Sequence, residues 1–298
     1  MHIYQLLREA KPIVGIKLEK GMIDFSAALR AYYFMKRKRL MFRIESIFSL
    51  IQNGLAAEDS ILNVFDYLES HDLWTQFIIN DTVKILSPLP QTGKIICLGR
   101  NYAAHAREAG YDVPEEPILF VKTKSTVIGP GEAIRIPEAV GRVDHEIELA
   151  VIIGKTAKQV SKAEAFDYVA GYTIFNDVTA RAMQKQDIER KKPWYRSKNF
   201  DTFGPMGPCM VTQAEIGRPI ELDLTLRVNG GVRQQANTRH MIFSIPALIE
   251  TITQWITLEP GDLISTGTPE GISEIHPGDE IEAEIEKIGI LKNSVEAA

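Results

Sequence analysis

Apolar residues recur at helical spacing over 26–36, 44–53 and 58–69. A short hairpin precedes them, built from Ile13–Ile16, a Lys20-Gly21 turn and Met22–Asp24. A short strand, 82–86, then leads into Pro88-Leu89-Pro90-Gln91-Thr92-Gly93. Proline and glycine punctuate that segment, which marks a boundary between a small N-terminal α/β domain, 1–90, and a larger domain, 91–298. Beyond it the pattern turns to strands at 94–98, 118–121, 133–137, 171–177, 222–228, 263–265 and 280–288. The most apolar run, Ala150-Val151-Ile152-Ile153, follows Val143-Asp144-His145-Glu146-Ile147-Glu148-Leu149, and the two read together as one buried strand. Asn229-Gly230-Gly231 signals a hairpin turn. Ser161-x-x-Glu164 has the form of a capping box and predicts a helix to about Val169. Ser244 opens a helix whose stripe of Ile245, Leu248, Ile249, Ile252, Trp255 and Ile256 is expected to face the core. Many strands and few long helices predict an α+β fold, mainly β.

The strand run carries the candidate chemistry. Side chains alternate faces along a strand, so Asp144, Glu146 and Glu148 are expected to share one face. Carboxylates crowded at a buried strand repel and need a cation, basic side chains or protons beside them. Without clustered histidine or cysteine the donors suit a hard cation, Mg²⁺ or Mn²⁺ before Ca²⁺. A solvated edge strand is the alternative from these residues alone. Asp177 ends the 171–177 strand, placed either to complete a metal site or to cap the next helix. His105 and Glu108, three apart in a short helix, can pair, and the carboxylate then orients a general base. Most such pairs are surface pairs, so this one is a weak signal alone. The turn-rich 110–116 stretch is expected to be mobile without ligand. Thr266-Gly267-Thr268-Pro269 reads as a turn able to offer N–H groups to a carboxylate, or as a plain turn.

Composition narrows the classes. With 45% hydrophobic and 24% charged residues the chain is an ordinary globular protein. A formal net charge of −5 argues against a nucleic-acid partner, and Lys36-Arg37-Lys38-Arg39 reads as the solvated face of a helix. Cys97 and Cys209 fit reduced thiols in a cytoplasmic protein. Residues 1–10 lack the pattern of a signal peptide, and no stretch is apolar enough to span a membrane. There is no Gly-x-Ser-x-Gly elbow to support a serine nucleophile.

Taken in order, Gly99-Arg100-Asn101-Tyr102-Ala103-Ala104-His105, the run Asp144–Lys155, Gly171-Tyr172-Thr173, Asn176–Arg181, Lys198, Pro260-Gly261-Asp262 and Thr266–Pro269 resemble the fumarylacetoacetate hydrolase family. The likeness spans about two-thirds of the chain, and the first 90 residues look like the variable small domain of some members. It implies a mixed β-sandwich roll that forms a homodimer. It implies one Mg²⁺ or Mn²⁺ per subunit on Glu146, Glu148 and Asp177, supported by Asp144. His105 and Glu108 match a water-activating dyad on a lid, and Lys198 a lysine facing the substrate with Lys122 nearby. Arg100, Tyr102, Gln184 and Thr268 match substrate contacts, Thr268 through a hydroxyl that takes a carboxylate. Two positions depart from the family pattern, Ala182 and Gly231, where acidic residues are common.

The implied chemistry is that of 2-oxo and 2,4-dioxo acids reacting through a metal-held enolate. The intact dyad favours hydrolytic C–C cleavage of the acylpyruvate type. Oxaloacetate decarboxylation and isomerisation of 2-hydroxy-dienedioates use the same core. A non-catalytic ligand-binding member is the remaining class.

Overall fold

The structure is a computed structural model that describes residues 1–298. Its spine is one large mixed sheet, with strands ordered Gly21–Asp24, Lys11–Leu18, His2–Arg8, Gly204–Thr212, Val169–Asn176, Ile147–Ile153, Leu263–Ser265, Ile95–Gly99 and Ile118–Lys122. A second sheet of five strands runs Gly231–Asn237, Asp223–Val228, Glu280–Ile285, Gly289–Ala297 and Ile134–Ile136. The fold is α+β and mainly β, as expected. No helix is long and apolar enough to cross a membrane. Both cysteines are buried and unpaired.

The Ile147–Ile153 strand explains the layering. All seven of its residues are buried. Ile147, Leu149, Val151 and Ile153 enter a core of 39 residues shared with the second sheet. Ala150 and Ile152, on the opposite face, enter a core of 25 residues. A β-branched run flanked by apolar layers on both sides is the arrangement such a sequence requires. The N-terminal segment fills the second core: Ile16, Phe25, Leu29, Ile61 and Leu68 pack there with Ile95, Cys97, Met206 and Leu263. His2 and Ile3 pair with Val211 and Met210, so the first 90 residues share the central sheet.

Most predicted elements are present. The hairpin forms between Lys11–Leu18 and Gly21–Asp24, and the helices are Phe25–Met35, Ile47–Gln52 and Glu58–Ser70. Val228 pairs with Gly231 across the Asn229-Gly230 turn, both of whose residues have positive φ, as that turn requires.

Three expectations fail, and one strand goes unforeseen. The 161–169 helix does not form: Ser161 Oγ bonds the Glu164 carboxylate, one 3₁₀ turn spans Ala165–Tyr168, and Val169 is drawn into the sheet. Trp255 is 77% exposed, beyond the buried stripe of its helix, which ends with Ile252 and Thr253. The strand 143–153 is broken into Val143–Asp144, paired with Thr179–Ala180, and Ile147–Ile153. The run His2–Arg8 is a strand that alternation does not reveal, because the buried Gln5 breaks the pattern. That glutamine donates to Ile13 O and Glu45 O and accepts from Ile47 N–H, so its amide is satisfied in the core.

Candidate active site

The break in the carboxylate strand decides the geometry. Asp144 and Glu148 are strand residues, but Glu146 lies in the link between them. Asp144, Glu146 and Glu148 therefore do not form one face. Asp144 turns to Arg142 Nε at 2.7 Å and Arg181 Nε at 2.8 Å. His145, between the acids, is buried against Gln234 Oε1 and Ser273 Oγ, both at 2.9 Å.

The third carboxylate comes from the neighbouring strand. Ile147 pairs with Asn176, which brings Asp177 beside Glu146, and the Asp177 N–H donates to Glu146 O at 2.8 Å. Carboxylate oxygens of Glu146, Glu148 and Asp177 lie within 4.8 Å of one another, and all three residues are buried.

Three cations surround them. Lys198 Nζ donates to Glu146 Oε2 at 2.9 Å and to Asp177 Oδ2. Lys122 Nζ donates to Asp177 Oδ1 at 2.7 Å and to Val178 O at 3.0 Å. Arg181 bonds Glu146 Oε1 as well as Asp144, and its third contact is Gln184 Oε1 at 2.5 Å. Glu148 has no such partner. Its Oε2 accepts from Ser265 Oγ at 2.6 Å and from Gly267 N–H at 2.8 Å, and its Oε1 takes no hydrogen bond from the protein.

The titration behaviour follows from this layout. Burial, with Asp177 and Glu146 alongside, pushes the Glu148 carboxyl well above the usual range. Burial works the same way on Glu146, but Lys198 and Arg181 overcome it and hold that carboxyl far below the usual range. Burial alone would lower Lys198, yet the two acids it bridges raise it. Burial lowers Lys122, which has one acid partner and feels the charge of Lys198.

A fit to a hard divalent cation follows from the donor set. The three acids offer buried oxygens only, Glu148 keeps one oxygen free, and an ammonium already bridges two of the three. Mg²⁺ and Mn²⁺ suit such oxygens.

His105 lines a cavity together with Glu146 of this cluster. His105 and Glu108 lie in the helix Ala103–Glu108, with His105 Nδ1 at 3.4 Å from Glu108 Oε2. Glu108 is itself fixed by Gly271 N–H, at 3.0 and 3.2 Å from its two oxygens. Gly271 has φ +93°, and a Cβ there would meet Arg233 O at 2.1 Å, so only glycine fits. The other ring nitrogen of His105, Nε2, has no protein partner. Burial lowers the His105 imidazole from its ordinary 6.5, against the opposing charge of Glu146.

A cavity of about 50 Å³ lies between His105 and Glu146. Arg100, His105, Glu146, Gln184, Lys198 and Thr268 line it, with Arg181, Tyr111 and Trp194. Two expected substrate contacts do not line it. Lys122 is buried behind Asp177. Tyr102 is packed in the 39-residue core with its hydroxyl unpartnered. The Thr268 hydroxyl is already engaged, donating to Ile147 O and accepting from Gln234 Nε2, rather than held free for a carboxylate.

Sequence reasoning gave no role to Arg181, Tyr111, Trp194, Gln234 or Gly271. Arg181 lies inside the Asn176–Arg181 motif and Tyr111 inside the 110–116 stretch; the others come from distant loops and strands with no local signal.

The fumarylacetoacetate (FAA) hydrolase C-terminal family description matches residues 94–296. Oxaloacetate tautomerase YisK of Bacillus subtilis is 45% identical over 224 residues, covering 72% of this chain and 73% of its own. The structure of fumarylacetoacetate hydrolase from psychrophilic Exiguobacterium antarcticum superposes with a TM-score of 0.80 at 30% identity and covers all of both chains. Fumarylpyruvate hydrolase from Pseudomonas aeruginosa, solved in complex with Mn²⁺ and pyruvate, superposes with a TM-score of 0.67 at 32% identity over 74% of this chain and 94% of the other. Match, identity and fold agree: this chain belongs to the fumarylacetoacetate hydrolase family.

Proposed function

We propose that the protein is a divalent-metal-dependent enzyme that moves a proton on a small 2-oxo acid, interconverting the keto and enol forms of an oxaloacetate-like substrate. The observation that carries this reading is His105, its Nε2 without a protein partner, in a small cavity shared with Glu146, whose carboxylate lies within 4.8 Å of those of Glu148 and Asp177. Its likeness to an oxaloacetate tautomerase supports the same substrate class.

Glu146, Glu148 and Asp177 would hold Mg²⁺ or Mn²⁺, which when bound supplies Lewis acidity to the 2-oxo group. The chain's own residues do the rest. Glu108 accepts from His105 Nδ1–H, which leaves the Nε2 lone pair available as base. Nε2 takes a proton from C3, and negative charge grows on the C2 oxygen. The Lys198 ammonium and the Arg181 guanidinium set a positive field where that charge develops. Water protonates the C2 oxygen to give the enol, and His105 returns its proton to the solvent; the same steps in reverse give the ketone.

Cavity size is compatible with a small substrate. On the measure of one probe sphere per water, the inner 50 Å³ holds roughly four waters, which suits a compact acid. Hydrolytic cleavage of an acylpyruvate is the second reading. The His105–Glu108 pair favours it, because the same neutral imidazole can deprotonate water. Deuterium exchange at C3 separates the two: in D₂O with Mn²⁺, proton transfer labels C3 of oxaloacetate without cleaving acetylpyruvate. Release of acetate from acetylpyruvate, with no accelerated labelling, would favour hydrolysis.

A further inference from the structure

The cavity contains four cationic or protonatable nitrogen side chains: Arg100, His105, Arg181 and Lys198. Three of them already face a carboxylate. His105 faces Glu108, Arg181 faces Asp144 and Glu146, and Lys198 faces Glu146 and Asp177. Arg100 has no ion pair and no side-chain hydrogen bond, although a guanidinium carries five N–H donors. Burial lowers it, and Tyr111 is the one titratable group acting on it.

Arg100 is nevertheless held in place. Its Cζ lies 3.4 Å from the ring centre of Tyr111 and 5.6 Å from that of Trp194. Trp194 is fixed in turn: it lies against Gly99, where a Cβ would come within 2.8 Å of the indole, and edge-on to Phe120 at 5.7 Å. Stacking fixes the plane of a guanidinium and leaves its N–H edge free for a planar anion. Tyr111 follows directly on the lid helix, so the stack also ties Arg100 to the lid.

We infer that Arg100 binds a second carboxylate, at the end of the substrate remote from the 2-oxo group, and so selects short diacids over monoacids. This rests on the proposed function, in which the 2-oxo end faces Glu146, Glu148 and Asp177. Glu146 and Arg100 line the same cavity, so a four-carbon diacid held at the acids places its far carboxylate toward Arg100, the one cavity cation without a carboxylate partner. An apolar tail in the same place would leave the guanidinium partly desolvated and without an acceptor.

Two unreactive acids test this. Malate and 2-hydroxybutanoate share a 2-hydroxy acid head and differ at the far carbon, carboxylate against methyl. Calorimetric titration of the Mn²⁺-loaded protein should show malate binding about 10- to 100-fold tighter, the effect of a charge-assisted contact. Arg100→Met, which keeps the apolar stem on Tyr111, should bring the two affinities together; Arg100→Lys should keep part of the preference. Equal affinities in the wild type, or a preference that survives in Arg100→Met, would overturn the assignment. A wild type that prefers malate but leaves the oxaloacetate enol untouched would sink the tautomerase reading and leave the carboxylate site standing. Enol turnover without malate preference would do the reverse.

Discussion

Replacing Lys122 by methionine separates a cation site from an ordinary buried ion network. The lysine side chain is fully buried and donates to Asp177 Oδ1 at 2.7 Å. Methionine fills similar volume but leaves that oxygen facing an apolar group. Breaking a buried pair by removing one partner costs about 3–5 kcal/mol. Unfolding entropy of about 2.1 cal/mol/K per residue over 298 residues is about 0.63 kcal/mol/K, so the melting temperature should fall by roughly 5–8 °C in chelator. Mn²⁺ should restore roughly half of that loss or more, because a cation on Asp177 replaces the lost charge and no longer competes with the Lys122 ammonium. The assay is differential scanning calorimetry of both proteins with Mn²⁺ and with chelator. A Tm loss of the same size in both conditions would refute the reasoning, as would no loss at all.

Glu148→Gln removes the carboxylate that keeps an oxygen free, so Mn²⁺ affinity should fall at least about tenfold, a loss of 1.4 kcal/mol; unchanged affinity by calorimetry would remove Glu148 from the ligand set. Since the Glu148 carboxyl is raised without metal, Mn²⁺ binding should release protons, read as heats that vary with buffer ionisation enthalpy; equal heats in all buffers would count against it. His105 is lowered below 6.5 in the folded protein, so between 6.5 and its folded value the unfolded chain binds more protons; its contribution to stability is intact above pH 6.5 and is lost as pH falls below it. The acid limb of kcat/KM should accordingly lie below pH 6.5 and move lower still in Glu108→Gln, which removes a charge that raises the imidazole; a limb above 6.5 would contradict this. Gly271→Ala must relieve both a positive φ and a 2.1 Å contact, costing about 1–3 kcal/mol or more, and it should lower kcat by freeing Glu108; wild-type kcat and Tm would show that the latch does not matter.

The carboxylate cluster was legible in the sequence for a reason that the structure revises. Strand alternation predicted Asp144, Glu146 and Glu148 on one face, but a break after Asp144 sends its carboxylate to Arg142 and Arg181. Asp177 replaces it through the pairing of Ile147 with Asn176, a register that no local pattern encodes. His105 and Glu108 were visible as an i, i+3 pair, whereas Gly271, which holds Glu108 from 163 residues away, was not. Periodicity found the elements that bury one clean face and lost those whose polar residues are satisfied inside. Gln5 hid the His2–Arg8 strand in this way, and the Ser161–Glu164 pair imitated a helix cap.

The central claim is metal-dependent proton transfer on a small 2-oxo diacid. Its most direct test follows the ultraviolet absorbance of the oxaloacetate enol after addition of protein with Mn²⁺, with Mg²⁺ and with chelator, beside acetylpyruvate under the same conditions. Accelerated enol loss with either metal, abolished by chelator and by His105→Gln, with acetylpyruvate intact, is the predicted result. Enol loss no faster than the metal alone produces, together with metal-dependent cleavage of acetylpyruvate, would contradict it.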